Sequence, residues 1–291
     1  GLIQIVKFGT DSTGNVSNTL TITSFIVDST ATPLALVEVT AVITPSNDNT
    51  PSYTFASAVA GTISYGGSCS SDENTAWADD NTITFDTLAE GTYSNCTITV
   101  TDSTGNVSNT LTISTFILDS TAPTPNSFTL SDTALKAGET ATVTLVFSEA
   151  VASFASAADI TVATGTLATM SSSDNVTWTG TFTPTANTED ASNVLSLATS
   201  YTDTAGNAGP AEDTSNYAVD TQAPSVSTFT LSDTALKVGE SATVTLVFSE
   251  AVTSFSSADD ITVASGTLAT MSTSNNVTWT GTFTPTANTE D

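Results

Sequence analysis

Histidine and arginine are both missing from this 291-residue chain, and lysine occurs three times, at Lys7, Lys136 and Lys237. Without histidine there is no Ser-His-Asp relay and no imidazole ligand for zinc. Three cations cannot displace the counterions of a phosphate backbone, so nucleic acid is excluded as a partner. Nor can they hold the chain on an anionic membrane. No apolar run approaches membrane-spanning length, which excludes direct membrane insertion by a helix. The opening text, GLIQIVKFG, is too short for a secretory signal and lacks a cleavage site, so the expectation is a mature form or a piece of something longer.

What the chain has in quantity is acid. Thirty Asp and Glu give a formal charge of −27 and a pI of about 4.1. Such a charge keeps a protein soluble and non-adherent. A sharper reading makes some of the carboxylates divalent-cation ligands, and a bound cation would relieve the self-repulsion. Disorder is set aside because 38% of residues are hydrophobic and alternate strictly where they cluster. Cysteine occurs twice, at Cys69 and Cys96, each on the apolar face of its strand, so the pair can meet within one domain. A disulfide is expected in preference to two buried thiols, and it implies an oxidising, extracytoplasmic setting.

Internal repetition organises the rest. Residues 122–190 and 223–291 align without gaps at an offset of 101, and NVTWTGTFTPTANTED is identical in both. A second repeat type covers 32–121, and residues 1–28 match its tail at an offset of 91. Within repeats the period is two: TATVTLVFSE, NVTWTGTF, NTITF, CTITV and NTLTISTF alternate Thr or Ser with large apolar residues. That is the pattern of half-buried antiparallel strand, with threonine on the wet face. Gly, Asn, Asp and Pro clusters punctuate the text every eight to twelve residues, and no helix is expected. The fold class is therefore all-β: tandem immunoglobulin-like antiparallel β-sandwiches in a linear array. The expected domains are 1–29, the last two strands (F and G) of an incomplete unit; 30–121, carrying Cys69 and Cys96; 122–221, complete; and 222–291, lacking its last two strands.

The text LSDTALKxGExATVTLVFSEAV, the run LAEGTYSNCTITVTDSTGN and the DSTAP linker resemble the bacterial immunoglobulin-like repeats of giant surface adhesins and biofilm proteins. The resemblance covers essentially the whole chain. Leu88, Gly91 and Tyr93 resemble the tyrosine corner of Ig-type domains, although Tyr93 lies three residues before Cys96 rather than two. The cysteine pair is accordingly expected to join strands C and F instead of B and F. Secretion or surface exposure follows from the resemblance.

Without histidine and with the thiols structural, no catalytic constellation is available, and the expectation is a protein that is not an enzyme. Sandwich topology puts the B–C, D–E and F–G loops at one end of each unit. In 122–221 that end carries Glu149 after strand B, Asp159 at the close of the B–C connection, Asp174 at the D–E turn, and Asp203 and Asn207 in the F–G turn TDTAGN. Asp119 enters from the preceding repeat. Calcium takes six to eight oxygens in relaxed geometry and suits this set; magnesium demands a stricter octahedron. For a single TDxxGN loop the plain alternative is an Asx-turn with Gly and Asn in left-handed conformation. The same topology places Asp220, Glu250 and Asp260 at the next joint. It places Asp28 with Asp102, Asn106 and either Asp79 or Asp80 at the joint above, where strand B ends in SAVAG without an acid and weaker binding is expected. The resemblance itself implies calcium at inter-domain joints.

Two functional readings result. One is a non-catalytic extracellular stalk segment of a repetitive adhesin, rigidified by calcium at inter-domain joints. The other is a subunit of an extracellular filament or sheath, joined head to tail by strand donation. The expected partners are neighbouring Ig-like units of the same or another copy. The unpaired ends are expected to reflect a fragment of a longer array or strand exchange. Direct carbohydrate or receptor binding finds no aromatic cluster to support it.

Overall fold

Among the described residues most of the alternating text is strand, although NTLTISTF keeps only Leu111–Thr112 and the start of Phe116–Leu118. The computed structural model describes residues 9–16 and 34–287, which are nearly all β. Asp28 and most of the expected 1–29 unit lie outside the described residues. Two one-turn helices, Ser156–Asp159 and Ser257–Asp260, correct the expectation of no helix. Four residues make too little of a 3.6-residue period to show in the sequence.

The chain divides into two compact units: residues 1–124 with 147–154 and 199–210, and residues 125–146 with 155–198 and 211–291. In the first unit, strands Leu36–Thr40, Ser52–Ser57 and Asp79–Thr84 form one antiparallel sheet, in that order. Thr75–Ala76, Gly61–Gly66, Thr97–Thr101 and Leu111–Thr112 form another. Ser52–Ser57 buries every second residue, Tyr53, Phe55 and Ser57, as the period-two text requires. The two sheets close on Tyr53, Phe55, Ile63, Ile83, Phe85, Ile98 and Val100. Phe85 stacks on Phe116 at 6.2 Å and Phe116 on Tyr93 at 5.1 Å. The Tyr93 hydroxyl donates to the Ala89 carbonyl at 2.9 Å, closing the tyrosine corner. Cys69, beyond the end of Gly61–Gly66, is bonded to Cys96, just before Thr97–Thr101. These two strands pair with each other, so the bridge joins the C and F strands of one sheet, as the sequence suggests.

The second unit holds most of 122–221 and all of 222–287. Strands Pro125–Leu130, Ala141–Phe147, Thr177–Pro184 and Gly165–Leu167 form a sheet in that order. Ile160–Val162 pairs with Leu195–Leu197, and Ala134–Lys136 runs parallel to Tyr217–Asp220. In 222–287 the first of these sheets recurs: Val226–Leu231, Ala242–Phe248, Thr278–Pro285 and Gly266–Leu268, with register conserved at the offset of 101.

Candidate metal centre

The turn at 202–208 is the part from which the site grows. Asp203 Oδ1 accepts three backbone N–H groups, from Ala205 at 2.8 Å, Gly206 at 2.7 Å and Asn207 at 2.9 Å. That bends the chain over Gly206, whose φ of +96° is left-handed and favours glycine. Of the Gly–Asn pair expected in left-handed conformation, only glycine adopts it here. Asn207 instead uses its amide: Nδ2 donates to Asp203 Oδ2 at 2.8 Å and to the Asp119 carbonyl at 2.8 Å. The turn is thereby tied to the end of the preceding repeat. A second tie is the Asn47 N–H, which donates to the Ala205 carbonyl at 3.2 Å.

Three carboxylates meet against this turn. One oxygen each from Asp119, Glu149 and Asp203 lies within 4.8 Å of the others; Asp203 is buried and the other two are half-buried. Each comes from a different element. Asp119 follows strand Phe116–Leu118 and is held by its N–H to the Ser46 carbonyl at 3.0 Å. Glu149 follows strand Ala141–Phe147, and Asp203 is fixed from Val151 by a β-bridge. The Glu149 carboxyl is pushed above the usual carboxylate range, first by loss of water and then by the charges of Asp119, Asp203 and Glu90. Glu90 is the neighbour sequence reasoning missed, since the tyrosine-corner run around it carries no sign of the carboxylates it meets. It accepts the hydroxyls of Ser120 at 2.9 Å and Thr121 at 3.0 Å, which hold its own carboxyl low.

The donors are the hard oxygens of three carboxylates, and the charges of Asp119 and Asp203 raise the cost of ionising Glu149. That set fits calcium and offers zinc neither imidazole nor thiolate. Asp119, Glu149 and Asp203 would hold the ion, and Asn207 would keep Asp203 oriented.

The other expected ligands stand apart from this group. The Asp159 carboxylate is buried and its Oδ2 accepts the Ala155 N–H at 2.7 Å, bracing the one-turn helix. Asp174 Oδ1 accepts the Val176 and Thr177 N–H groups, an Asx-turn that lowers its pKa. Asp102 is satisfied locally by Thr104 and by the Asn106 N–H and Nδ2, and its pKa is held well below the ordinary range. Asp11 repeats that network with Thr13 and Asn15. Asp260 Oδ2 accepts the Ser256 N–H at 2.9 Å. Among the described residues, Asp220, Glu250 and Asp260 do not form a second group of three, and Asp79 and Asp80 lie in a strand pairing with Ala56 and Ser57.

Compared with known proteins, the family model for the bacterial Ig-like domain matches residues 119–219 and 220–291. No curated protein sequence matches the chain. Among solved structures, the Escherichia coli adhesin FdeC is 12% identical, aligned over 86% of this chain and 87% of that one, with a TM-score of 0.32. Invasin, a bacterial integrin-binding protein, is 16% identical over 87% of this chain and 55% of its own, with a TM-score of 0.29. Scores this low say nothing about function. The two family matches together cover more than half of the sequence, and the chain belongs to the bacterial Ig-like domain family.

Proposed function

We propose that this chain is a non-catalytic, extracellular stalk segment of a repetitive bacterial surface protein of the adhesin type, stiffened by calcium held between Asp119, Glu149 and Asp203. The observation that carries the reading is the meeting of three carboxylates from separate elements within 4.8 Å, with the Glu149 carboxyl pushed up by its neighbours. An ion there would link the end of one repeat to two loops of the next. Asn207 and Asn47 already join the same pieces by hydrogen bonds, so the ion would lock a joint that is partly built. The Cys69–Cys96 bridge supports an oxidising location. Among the described residues no helix is long and apolar enough to cross a membrane.

Calorimetric titration of the chain with calcium, after chelator treatment, tests this. Saturable binding is expected, with loss of heat signal in Asp203→Asn and Glu149→Gln. Small-angle scattering should show a narrower spread of sizes in calcium than in chelator. If calcium binds no more tightly to the chain than to the Glu149→Gln variant, and scattering is unchanged by chelator, the stiffened-joint reading is wrong.

A further inference from the structure

Two repeats of this chain join an opening segment to their closing strand side by side and parallel. In 122–221, Ala134 pairs with Ala218, Leu135 with Val219 and Lys136 with Asp220. The Ala218 N–H donates to the Thr133 carbonyl at 2.8 Å, and Leu135 and Val219 are each 1% exposed. In 30–121 the same place has one parallel bridge, Ser46 on Leu118. There the Ser46 N–H donates to the Ile117 carbonyl at 3.1 Å, and the Asp119 N–H to the Ser46 carbonyl at 3.0 Å. The strands that come before, Leu36–Thr40 and Pro125–Leu130, belong to other sheets, so they can peel away and leave each parallel pair closed.

Orientation decides what tension does to such a pair. The chain enters a repeat through its opening segment and leaves through its closing strand. In a parallel pair those two ends lie at opposite ends of the ladder, so a pull slides one strand past the other and loads all their hydrogen bonds together. In an antiparallel pair the two ends coincide, and the bonds open one at a time. We infer that the parallel pairs are force clamps, and that the chain yields to tension in two stages: the cysteine repeat first and over a short distance, the middle repeat second. The order follows from one bridge set against a ladder of three residues. The short distance follows from the disulfide, which takes the 27-residue separation of Cys69 and Cys96 out of reach of the pull. Leu36 and Leu118 are 82 residues apart, so the cysteine repeat frees at most about 200 Å of chain at about 3.6 Å per residue. Pro125 and Asp220 are 95 residues apart with no bridge between them, so the middle repeat frees at most about 340 Å. A stalk built this way gives a little under a light pull while its middle repeat stays folded. The clamps need no cation at Asp119.

Single-molecule pulling on the oxidised full chain tests this, with chelator present throughout so that failure leaves the calcium reading untouched. With handles at Ala35 and Gln222, a step of at most about 200 Å should come at lower force than a step of at most about 340 Å. Reducing Cys69–Cys96 should lengthen the first step by about 100 Å and leave the second alone. Handles at Thr124 and Gln222 load the middle repeat by itself, in shear. Handles at Ala137 and Gln222 instead pull on neighbouring ends of the parallel pair and open it bond by bond. The force should then fall to about a third, since three residues no longer share it. Ala218→Pro removes the donor to the Thr133 carbonyl and should lower the force of the long step, whose unchanged length reports that the repeat still folds. If that variant loses the long step altogether, the two handle geometries on the unaltered sequence decide. Equal force in the two geometries overturns the inference, as does a long step that comes first. So does a short step that reduction fails to lengthen, or a folded Ala218→Pro chain that yields at the original force.

Discussion

Phe128 and Phe229 stand at the same place in nearly the same text, yet one is 6% exposed and the other 56%. Phe182, fully buried, and Phe283, half-buried, repeat the contrast more mildly, whereas Val244 and Leu246 are buried like Val143 and Leu145. The paired sheets have the same strand order and register, so local sequence builds the same sheet twice. What differs is the second layer. Burial in a sandwich is a property of both sheets, and half the instruction for burying Phe283 lies outside the text around it. The acids follow the same rule. Glu149 meets Asp119 and Asp203, whereas Glu250, its counterpart, has no such group among the described residues.

The largest way to break this comparison is to cut the same side chain from both repeats. Phe182→Ala should cost about 3–5 kcal/mol, the usual loss for a fully buried ring. Phe283→Ala, half-buried, should cost about 1–2 kcal/mol, since less apolar area returns to water. Hydrogen exchange of the amides in Ala141–Phe147 and Ala242–Phe248 reads each loss locally. Equal losses would mean that the second layer adds nothing to the first.

Calcium sets the next contrast. If the ion is present at a hundred times its dissociation constant, it adds about 2.7 kcal/mol to the folded state. Thermal unfolding of the chain should therefore shift upward with calcium, lose that shift in Asp203→Asn, and keep it in Glu250→Gln. A shift that Glu250→Gln removes would move the site to the other repeat.

Much of this was legible from the sequence because period-two alternation and loop topology are simple rules. Thr-rich alternation located strands such as Ala141–Phe147 and Thr97–Thr101, and the sandwich plan brought positions 119, 149 and 203 to one end. A role that depends on a local hydrogen bond is harder to read in the sequence. Topology makes Asp159 a candidate ligand; the structure places it outside the group of three, with its carboxylate bracing a four-residue helix that leaves no periodic trace. Asn207 looked like a left-handed turn residue, and its side-chain amide turned out to be what binds Asp203 to the Asp119 carbonyl. Glu90 lies within the tyrosine-corner run, which says nothing about Glu149, and only the fold brings the two together.

Asp159 and Asp260 sharpen the comparison at a smaller scale. Both accept the N–H that opens a one-turn helix, at 2.7 Å from Ala155 and 2.9 Å from Ser256. Asp159 is 3% exposed, so Asp159→Ala removes a buried carboxylate together with the bond it accepts and should cost about 1–3 kcal/mol. Asp260 is exposed and water can replace it, so Asp260→Ala should cost about 0.5 kcal/mol. Urea unfolding of the two variants, followed by exchange in each repeat, measures the difference.

The smallest effect is electrostatic and has a definite sign. Burial and the charges of Asp119 and Asp203 raise the Glu149 carboxyl above the ordinary 4.5, so the folded state binds its proton more tightly than the unfolded one. The resulting stability is fully present below about pH 4.5 and is lost as the pH rises through the higher folded value. At neutral pH in chelator the ionised Glu149 therefore works against folding, and Glu149→Gln should stabilise by a few tenths of a kcal/mol once solvent screening is allowed for. Below pH 4 that gain should vanish, because wild-type Glu149 is then protonated as well. In calcium at neutral pH the sign should reverse, since the carboxylate becomes a ligand and its amide is a poorer one. Glu250→Gln should show neither the gain nor the reversal. Melting curves of the two variants across pH, with and without calcium, separate a carboxylate strained by its neighbours from its counterpart in the last repeat.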